Sequence, residues 1–272
     1  MAEMFRRGRA FSIRRQPGFA SVATMCFAIL YLPIVVLVIY SFNAGVSIAV
    51  WEGFSLRWYV HAWGNDQVQD AAGRSFVIAA SASVIATIVS TMAALATTRT
   101  TPFRGATVVY AMINQPLMVP AVVTGVALLI FFSNIRVALG YYGLGYLIAA
   151  HTAFCIPFAY LPIRARLENM DLALERAAAD LYATPWMTFR RVTLPLMLPG
   201  IMAGAMLAFV ISLDEVVITE FVKSAGQDTL PTYMLGQIRR AVSPEINAIS
   251  TVFLAISVTI VTIFFFLNRK TG

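Results

Sequence analysis

The sequence predicts an all-α, polytopic membrane protein, and three observations support this fold class. Of its 272 residues, 59% are hydrophobic and 12% are charged, whereas a soluble globular protein has about 25% charged residues. The mean hydropathy is +0.77. Charge-free apolar windows long enough to cross a bilayer recur along the whole chain.

Six of these windows predict six transmembrane helices. A spanning helix needs about 20 mostly apolar residues, and it satisfies every backbone polar group within the segment. The windows are Pro17–Trp51, Ser75–Thr98, Gly105–Ile135, Val137–Ile163, Val192–Leu213 and Ile246–Asn268. We expect the fifth helix to continue past Asp214 to about Val222, because Leu-Pro and Leu-Pro-Gly occupy the start of its window.

Positive charge orients these spans. With six spans both ends lie on one side, which then holds fourteen of the twenty Lys and Arg residues against six on the other. The positive-inside rule therefore places both termini in the cytoplasm. We divide the chain into a cytoplasmic segment, 1–16, and one transmembrane domain, 17–272, with a large inner loop at about 164–191. The net charge of +7 does not indicate nucleic-acid binding, because the arginines lie in loops beside apolar spans.

Two further regions are expected to be irregular. The third window contains polar and proline residues that should bend or break the helix, either beside a pathway or as a packing kink: Asn114, Gln115, Pro116 and Pro120. The outer loop from Asn43 to Arg74 is rich in aromatic residues, which usually form an interfacial belt. Contact with a partner at the outer face is the alternative.

Neither cysteine nor histidine indicates a metal site or a disulfide framework. Cys26 and Cys155 both fall inside apolar runs, where cysteine behaves as a small hydrophobe. His61 and His151 lie far apart in the sequence. We expect no metal and no cofactor in this chain.

The inner loop contains a short amphipathic helix, a turn and a second helix that enters the bilayer. Asp171 can cap the first helix, because its short side chain accepts a hydrogen bond from a free backbone N–H. Thr184 and Pro185 suit the N-cap and first position of the second helix. One face of the first helix is apolar at helical spacing: Leu174, Ala177, Ala178 and Leu181.

This first helix could lie on the lipid surface or dock in a protein groove. Its polar face is poor in Lys and Arg and carries the acidic Glu175 and Asp180, which anionic lipid would not favour. A protein groove fits better, with Leu174, Ala178 and Leu181 as anchors.

The segment LERAAADLYATPWMTFRRVTLPLMLPG, which begins at Leu174, resembles the EAA loop of bacterial ABC importer permeases. The pattern of that loop is Glu-Ala-Ala, three residues, Gly, nine residues, Ile, one residue and Leu-Pro. In register, the matching residues are Ala177, Ala178, Leu194 and Pro195, and Val192 replaces the isoleucine. Arg176 stands at the glutamate position, directly after Glu175, and Tyr182 stands at the glycine position.

The resemblance covers nearly all of the chain. The segments SLDEVVITEF, TLPTYMLGQIRRAVSPEINAIS and FSLRWY look like the spermidine/putrescine branch of these permeases, in its second subunit type. The resemblance implies a type I ABC importer permease fold, in which the loop helix fits a cleft on a cytoplasmic ATPase. The implied ATPase-docking residues are Leu174, Glu175, Ala178, Leu181 and Tyr182. The implied partners are a second, distinct permease subunit, two copies of the ATPase and a periplasmic or lipid-anchored substrate-binding protein.

The chain itself has no motif for ATP hydrolysis. A P-loop needs Gly-Lys followed by Ser or Thr. The only two lysines follow other residues: Lys223 follows Val222, and Lys270 follows Arg269. We therefore expect no catalytic residue here and assign ATP hydrolysis to another polypeptide.

Three acids near the end of the fifth span are candidate pathway residues: Asp214, Glu215 and Glu220. A carboxylate at membrane depth usually faces a water-filled path or a partner charge. Because successive helical residues are about 100° apart, the three cannot all line one face of a regular helix. Asp214 could also pair with a group of the partner permease and only hold the gate.

Taken together, the residues and the resemblance predict an inner-membrane importer subunit for a small cationic solute, most simply a polyamine. Carboxylates with nearby aromatic rings suit polyamines through charge pairing and cation–π contact. Import of another small organic solute by the same machinery is the main alternative. A stand-alone channel or secondary carrier would have no need of the docking loop.

Overall fold

The computed structural model describes residues 18–47, 50–99, 104–141, 143–240 and 243–269, and within these ranges the chain is helical with no strand. The predicted cytoplasmic segment 1–16 lies outside the described residues, so its division from 17–272 stays a prediction. The helices are α1 Phe19–Tyr40, α2 Arg57–Trp63, α3 Asp66–Thr98, α4 Ala106–Met118, α5 Ala121–Leu139, α6 Gly145–Glu168, α7 Ala173–Asp180, α8 Pro185–Thr188, α9 Leu194–Asp214, α10 Val217–Val222, α11 Leu230–Arg240 and α12 Pro244–Arg269. A π-helical turn, Phe189–Thr193, joins α8 to α9.

The prediction of six spans is confirmed. Six helical stretches of the described chain are long and apolar enough to cross a membrane: Phe19–Tyr40, Asp66–Thr98, Ala121–Leu139, Gly145–Glu168, Pro185–Asp214 and Pro244–Phe266. They confirm the all-α, polytopic fold class that the sequence predicts.

The helices α3, α6 and α9 form the core of the bundle. Small residues allow α9 to approach α6 closely. A Cβ atom on Gly204 would lie 2.6 Å from the Ala159 carbonyl oxygen, and one on Gly200 would lie 2.7 Å from Cβ of Arg166. Close approach through small residues is the usual way in which membrane helices gain packing energy. The helix α1, by contrast, has no buried residue and packs mainly on α12.

The third span is interrupted, as predicted. Helix α4 contains Pro116 and ends at Met118, Val119 is extended, and α5 starts directly after Pro120. Proline lacks a backbone N–H and disfavours a helical conformation in the residue before it, so Val119 turns out of the helix. Asn114 is buried and donates to the Tyr110 carbonyl within α4.

The prediction that the fifth helix runs on to about Val222 is wrong. Helix α9 ends at Asp214, Glu215 is extended with ψ 113°, and a separate helix, α10, begins at Val217. The reason is local hydrogen bonding, described below, which satisfies the backbone groups at the break. The second span also starts earlier than its apolar window, because Asn65 caps α3 by accepting a hydrogen bond from the Gln67 amide at 3.1 Å.

Candidate functional site

The inner loop folds as two short helices joined by a tight turn. Asp171 Oδ1 accepts a hydrogen bond from the Ala173 amide at 2.8 Å, which confirms its expected role at the start of α7. Thr184 caps α8, with its hydroxyl oxygen 3.3 Å from the Met187 amide, and Pro185 occupies the first turn. The rings of Trp186 and Phe189 then stack with centroids 5.6 Å apart.

The turn after α7 forms even though tyrosine occupies its glycine position. Tyr182 has φ +59°, the one non-glycine residue of the described chain with positive φ. The Tyr182 amide donates to the Ala179 carbonyl at 2.9 Å, and the Ala183 amide donates to the Ala178 carbonyl at 3.0 Å. These two bonds are the Schellman pattern that ends a helix at a left-handed residue. With tyrosine at the glycine position, the turn still has the hydrogen bonds of a Schellman motif, and the Tyr182 ring lies at the tip of the turn.

Glu175 connects the loop to the bundle. Its Oε1 accepts hydrogen bonds from Arg99 Nε at 3.1 Å and from the Thr193 hydroxyl at 3.0 Å. Arg99 lies at the inner end of α3 and also donates to the Leu167 carbonyl near the end of α6. Glu175 thus ties α7 to α3, to α6 through Arg99 and to the start of α9.

The five residues predicted to contact an ATPase fall into two groups. Leu174, Leu181 and Tyr182 are exposed, with Leu181 81% and Tyr182 95% accessible. Glu175 and Ala178 are half-buried and face the rest of the chain. Trp186, which the sequence analysis did not select, adds a ring that is 66% exposed. The exposed apolar side chains of this loop include Leu174, Leu181, Tyr182 and Trp186, and we call these four the docking surface.

At the opposite end of α9, the break in the fifth span is held by side chains. Glu215 Oε1 accepts from the Ile218 amide at 2.9 Å, so this carboxylate caps the start of α10. The Thr219 hydroxyl donates to the Glu215 carbonyl at 2.8 Å. Backbone groups at a break inside a membrane must find such partners, because lipid offers none.

Asp214 has a different environment. It is exposed in the chain taken alone, and it lines a cavity of about 260 Å³ between α9, α11 and α12. The cavity also contains Ser250 and Ser257 from α12, Phe253 and Met234. Across the described residues the Asp214 carboxylate makes no hydrogen bond or ion pair. It is thus available to a charged ligand or to a partner chain.

Glu220 lies in a third setting, a polar cavity of about 530 Å³ between α3, α10 and α11. Its Oε2 is 2.6 Å from Lys223 Nζ, which also lies 2.7 Å from Asp228 Oδ1. Desolvation alone would lower the pKa of Lys223, but the hydrogen bonds from its ammonium group to Asp228 and Glu220 raise it. The Glu220 carboxylate therefore already has an ion-pair partner within the chain, Lys223.

The structure separates the three acids that the sequence analysis grouped as pathway residues. Asp214 faces an open cavity, Glu215 caps a helix and Glu220 belongs to an ion-pair network. Sequence reasoning also missed Arg99 and His151. Arg99 is 76 positions from its partner Glu175, and His151 lies inside an apolar run where no neighbour indicates a role.

At the other end of the bundle, Asn43 organises the start of the outer loop. The carboxamide nitrogen of Asn43 donates to the carbonyls of Ser47 and Val50, and its oxygen accepts from the amides of Gly45 and Glu52. Trp58 is buried and donates to the Gly45 carbonyl at 3.1 Å, whereas Trp63 is 80% exposed. One tryptophan therefore stabilises the loop, and the other is free to meet lipid or a partner.

Comparisons with known proteins agree with this arrangement of spans and loops. Residues 86–270 match the family model described as binding-protein-dependent transport system inner membrane component. The putrescine transport system permease protein PotI of Escherichia coli is 40% identical over 243 residues, which cover 88% of this chain and 86% of that protein. The spermidine/putrescine transport system permease protein PotC of Haemophilus influenzae is 36% identical over 244 residues, with 90% and 93% covered.

Among solved structures, a bacterial ABC transporter involved in the import of the acidic polysaccharide alginate has a similar chain. The TM-score is 0.72 at 16% identity, and the match covers 92% of this chain and 94% of that one. At this identity the likeness concerns the fold alone, and it confirms the type I ABC importer permease fold that the sequence resemblance implies.

Proposed function

The chain belongs to the family of binding-protein-dependent transport system inner membrane components, and from this premise we propose that it forms one half of the solute path of an ATP-driven polyamine importer. It is a multi-pass inner-membrane protein and a transport subunit rather than an enzyme. Its solute in this proposal is a small polycation such as putrescine or spermidine, in keeping with the names of its relatives.

One observation carries the choice of a cationic solute: the Asp214 carboxylate faces a cavity at the break in the fifth span. A carboxylate that is held at membrane depth without an ion-pair partner among the described residues is costly unless it serves a pathway or a partner. The hydroxyls of Ser250 and Ser257 can accept hydrogen bonds from an ammonium group, and Phe253 offers a ring face to it. The methylene chain of a polyamine fits the apolar remainder of the cavity.

The fold itself does not choose the solute. A transporter with the same fold is involved in the import of alginate, an acidic polysaccharide, so the arrangement of helices is compatible with solutes of opposite charge. Selectivity must therefore come from particular side chains and from the protein that delivers the solute. Asp214 is the side chain that this proposal selects.

In this proposal the docking surface transmits the conformational change of an ATPase to the permease. Two copies of a cytoplasmic ATPase bind the two permease subunits, and the exposed rings and leucines of the docking surface enter a groove in one of them. When ATP closes the ATPase pair, α7 moves with it. The Glu175–Arg99 and Glu175–Thr193 bonds then pass that movement to α3 and α9. The far end of α9 carries Asp214, so the cavity opens outward to receive solute from a periplasmic or lipid-anchored binding protein.

The proposal is tested by Asp214→Asn in the complete complex reconstituted into proteoliposomes. This change removes the charge and keeps the shape. A charged hydrogen bond is worth about 1.5–3 kcal/mol, so polyamine uptake should fall by roughly tenfold to a hundredfold. ATP hydrolysis stimulated by the liganded binding protein should persist, because the docking surface is unchanged.

Glu215→Gln is the matched control, because its amide oxygen can still cap α10, and we expect it to retain most uptake. If Asp214→Asn imports polyamine at the normal rate, Asp214 holds the gate against the partner permease instead. If the wild-type complex imports no polyamine, uptake of labelled amino-acid derivatives and opines identifies the alternative solute class.

A further inference from the structure

His151 is a buried histidine whose two ring nitrogens are both hydrogen-bonded. It lies on α6, deep in the bundle, and is 1% exposed. Its Nδ1 is 2.8 Å from the Ser212 hydroxyl on α9, and its Nε2 is 2.9 Å from the Thr219 hydroxyl on α10. One side chain therefore connects the two helices on either side of the break that contains Asp214 and Glu215.

The direction of these hydrogen bonds follows from Thr219. Its single hydroxyl proton is donated to the Glu215 carbonyl, so its oxygen must accept a hydrogen bond from the N–H group at His151 Nε2. In the neutral ring Nδ1 then carries no proton and accepts from Ser212. The result is one continuous chain of bonds from Ser212 through the ring and Thr219 to the carbonyl that the break leaves without a helical partner.

Helix α10 is also fixed at its other end and along its side. Arg136 on α5 donates to the Val222 carbonyl at the end of α10. The Phe221 ring packs on Gly125 of α5 so closely that a Cβ atom there would lie 2.6 Å from Cδ2. Helix α10 therefore belongs to the body formed by α5 and α6, and the break is not a free hinge.

From this geometry we propose that His151 is a positioning residue for the gate. It fixes the angle between α9 and α10, and so it fixes the direction in which Asp214, at the end of α9, points relative to α6 and α10. This inference rests on the proposed transport function, because it assigns His151 a role in moving the cavity. It adds a residue that contacts neither solute nor ATPase and acts through Ser212 and Thr219.

The test removes one hydroxyl and keeps the shape of the side chain. Thr219→Val leaves the His151 N–H and the Glu215 carbonyl without partners, whereas Thr219→Ser retains both bonds. In the reconstituted complex we expect the uptake per ATP hydrolysed to fall about tenfold in Thr219→Val, as for one unsatisfied buried donor. We expect Thr219→Ser to restore it. A role limited to folding would lower the amount of complex without changing this ratio.

A second measurement does not depend on the solute. Spin labels at Leu207→Cys on α9 and at Ala225→Cys beyond α10 report the angle across the break, in a Cys26→Ser background that removes the exposed native thiol. We expect one narrow distance distribution in the parent complex and in Thr219→Ser, and a broad one in Thr219→Val. Arg166→Met is the control, because it removes a 2.8 Å hydrogen bond from α6 to the Leu196 carbonyl on α9, far from Ser212, His151 and α10.

The two proposals fail in different ways. A parent complex that imports no polyamine argues against the proposed solute, and the label distances still report on His151. A narrow distribution in Thr219→Val overturns the positioning role, whatever the uptake. A broad distribution in Arg166→Met would also overturn it, because any loss of α6–α9 contact would then loosen the break.

Discussion

At the scale of single residues, Tyr182 shows how a side chain can occupy a position that favours glycine. A left-handed conformation costs a residue with a Cβ atom roughly 1–2 kcal/mol, and glycine costs about 0.4–1 kcal/mol in extra chain entropy. The Schellman bonds to Ala178 and Ala179 hold the turn despite this cost. Tyr182 is 95% exposed, so packing of its ring adds almost no stability to the isolated chain. In the proposed function, a partner bound at the docking surface offsets this cost.

Tyr182→Gly should therefore stabilise the turn in the isolated chain by about 1 kcal/mol. Hydrogen exchange of the Ala183 amide, which is bonded to Ala178, is then expected to slow about fivefold. Tyr182→Ala is the matched control, because it removes the ring but keeps the unfavourable φ of +59°. Equal protection by alanine and glycine would show that the ring, not the backbone, destabilises the turn.

Sequence reasoning was sufficient for some residues of the site and not for others. Asp171 and Thr184 are capping residues with local partners, so their bonds follow from adjacent sequence. The interaction of Glu175 with Arg99 joins positions 76 apart, and it could not be inferred without the fold. Grouping Asp214 with Glu215 followed from charge alone, whereas the break gives them different environments: Asp214 lines a cavity and Glu215 caps α10.

At the scale of helices, the packing of α9 against α6 depends on glycine. Gly204→Ala adds a Cβ atom that meets the Ala159 carbonyl oxygen at 2.6 Å, and backbone cannot move aside as a flexible side chain can. We expect the free energy of unfolding to fall by about 1–3 kcal/mol, as is typical of overpacking. Thermal unfolding of the purified chain in detergent measures the change.

Gly73→Ala is the control for this change. Gly73 also lies in a long helix, α3, but an added Cβ atom has no neighbour within 4 Å. Alanine is the better helix former by about 1 kcal/mol, so this variant should be equally stable or slightly more stable. A similar loss of stability in both variants would contradict the close approach of α6 and α9.

Helix positions were predictable where apolar length decides them, and less so where polar side chains do. All six spans are present, because a bilayer imposes a minimum length that composition reveals. The early start of α3, directly after its cap Asn65, and the break after Asp214 depend on side-chain caps inside or beside apolar windows. A proline marks the break in the third span, and no comparable signal marks the break in the fifth.

At the scale of the whole molecule, α3 relates the two faces of the protein. It has 33 residues and is therefore about 50 Å long, which exceeds the roughly 30 Å of a bilayer's hydrocarbon core. Arg99, which binds Glu175 of the docking loop, lies at one end, and α2 with Trp63 adjoins the other. The docking surface and α2 must therefore lie on opposite sides of the membrane.

The positive-inside rule predicts that the docking surface faces the cytoplasm and α2 faces outward, and thiol labelling tests this orientation. In a Cys26→Ser background, Trp63→Cys should react with a membrane-impermeant reagent in intact spheroplasts, and Tyr182→Cys should react only in inside-out vesicles. The side chains replaced are 80% and 95% exposed, so neither site is shielded by the chain itself.

When the ATPase is bound, Tyr182→Cys should become protected from the reagent, because Tyr182 belongs to the docking surface, while Trp63→Cys should not. Labelling of Tyr182→Cys from the outside would reverse the topology, and unchanged labelling beside bound ATPase would remove the docking surface from the mechanism.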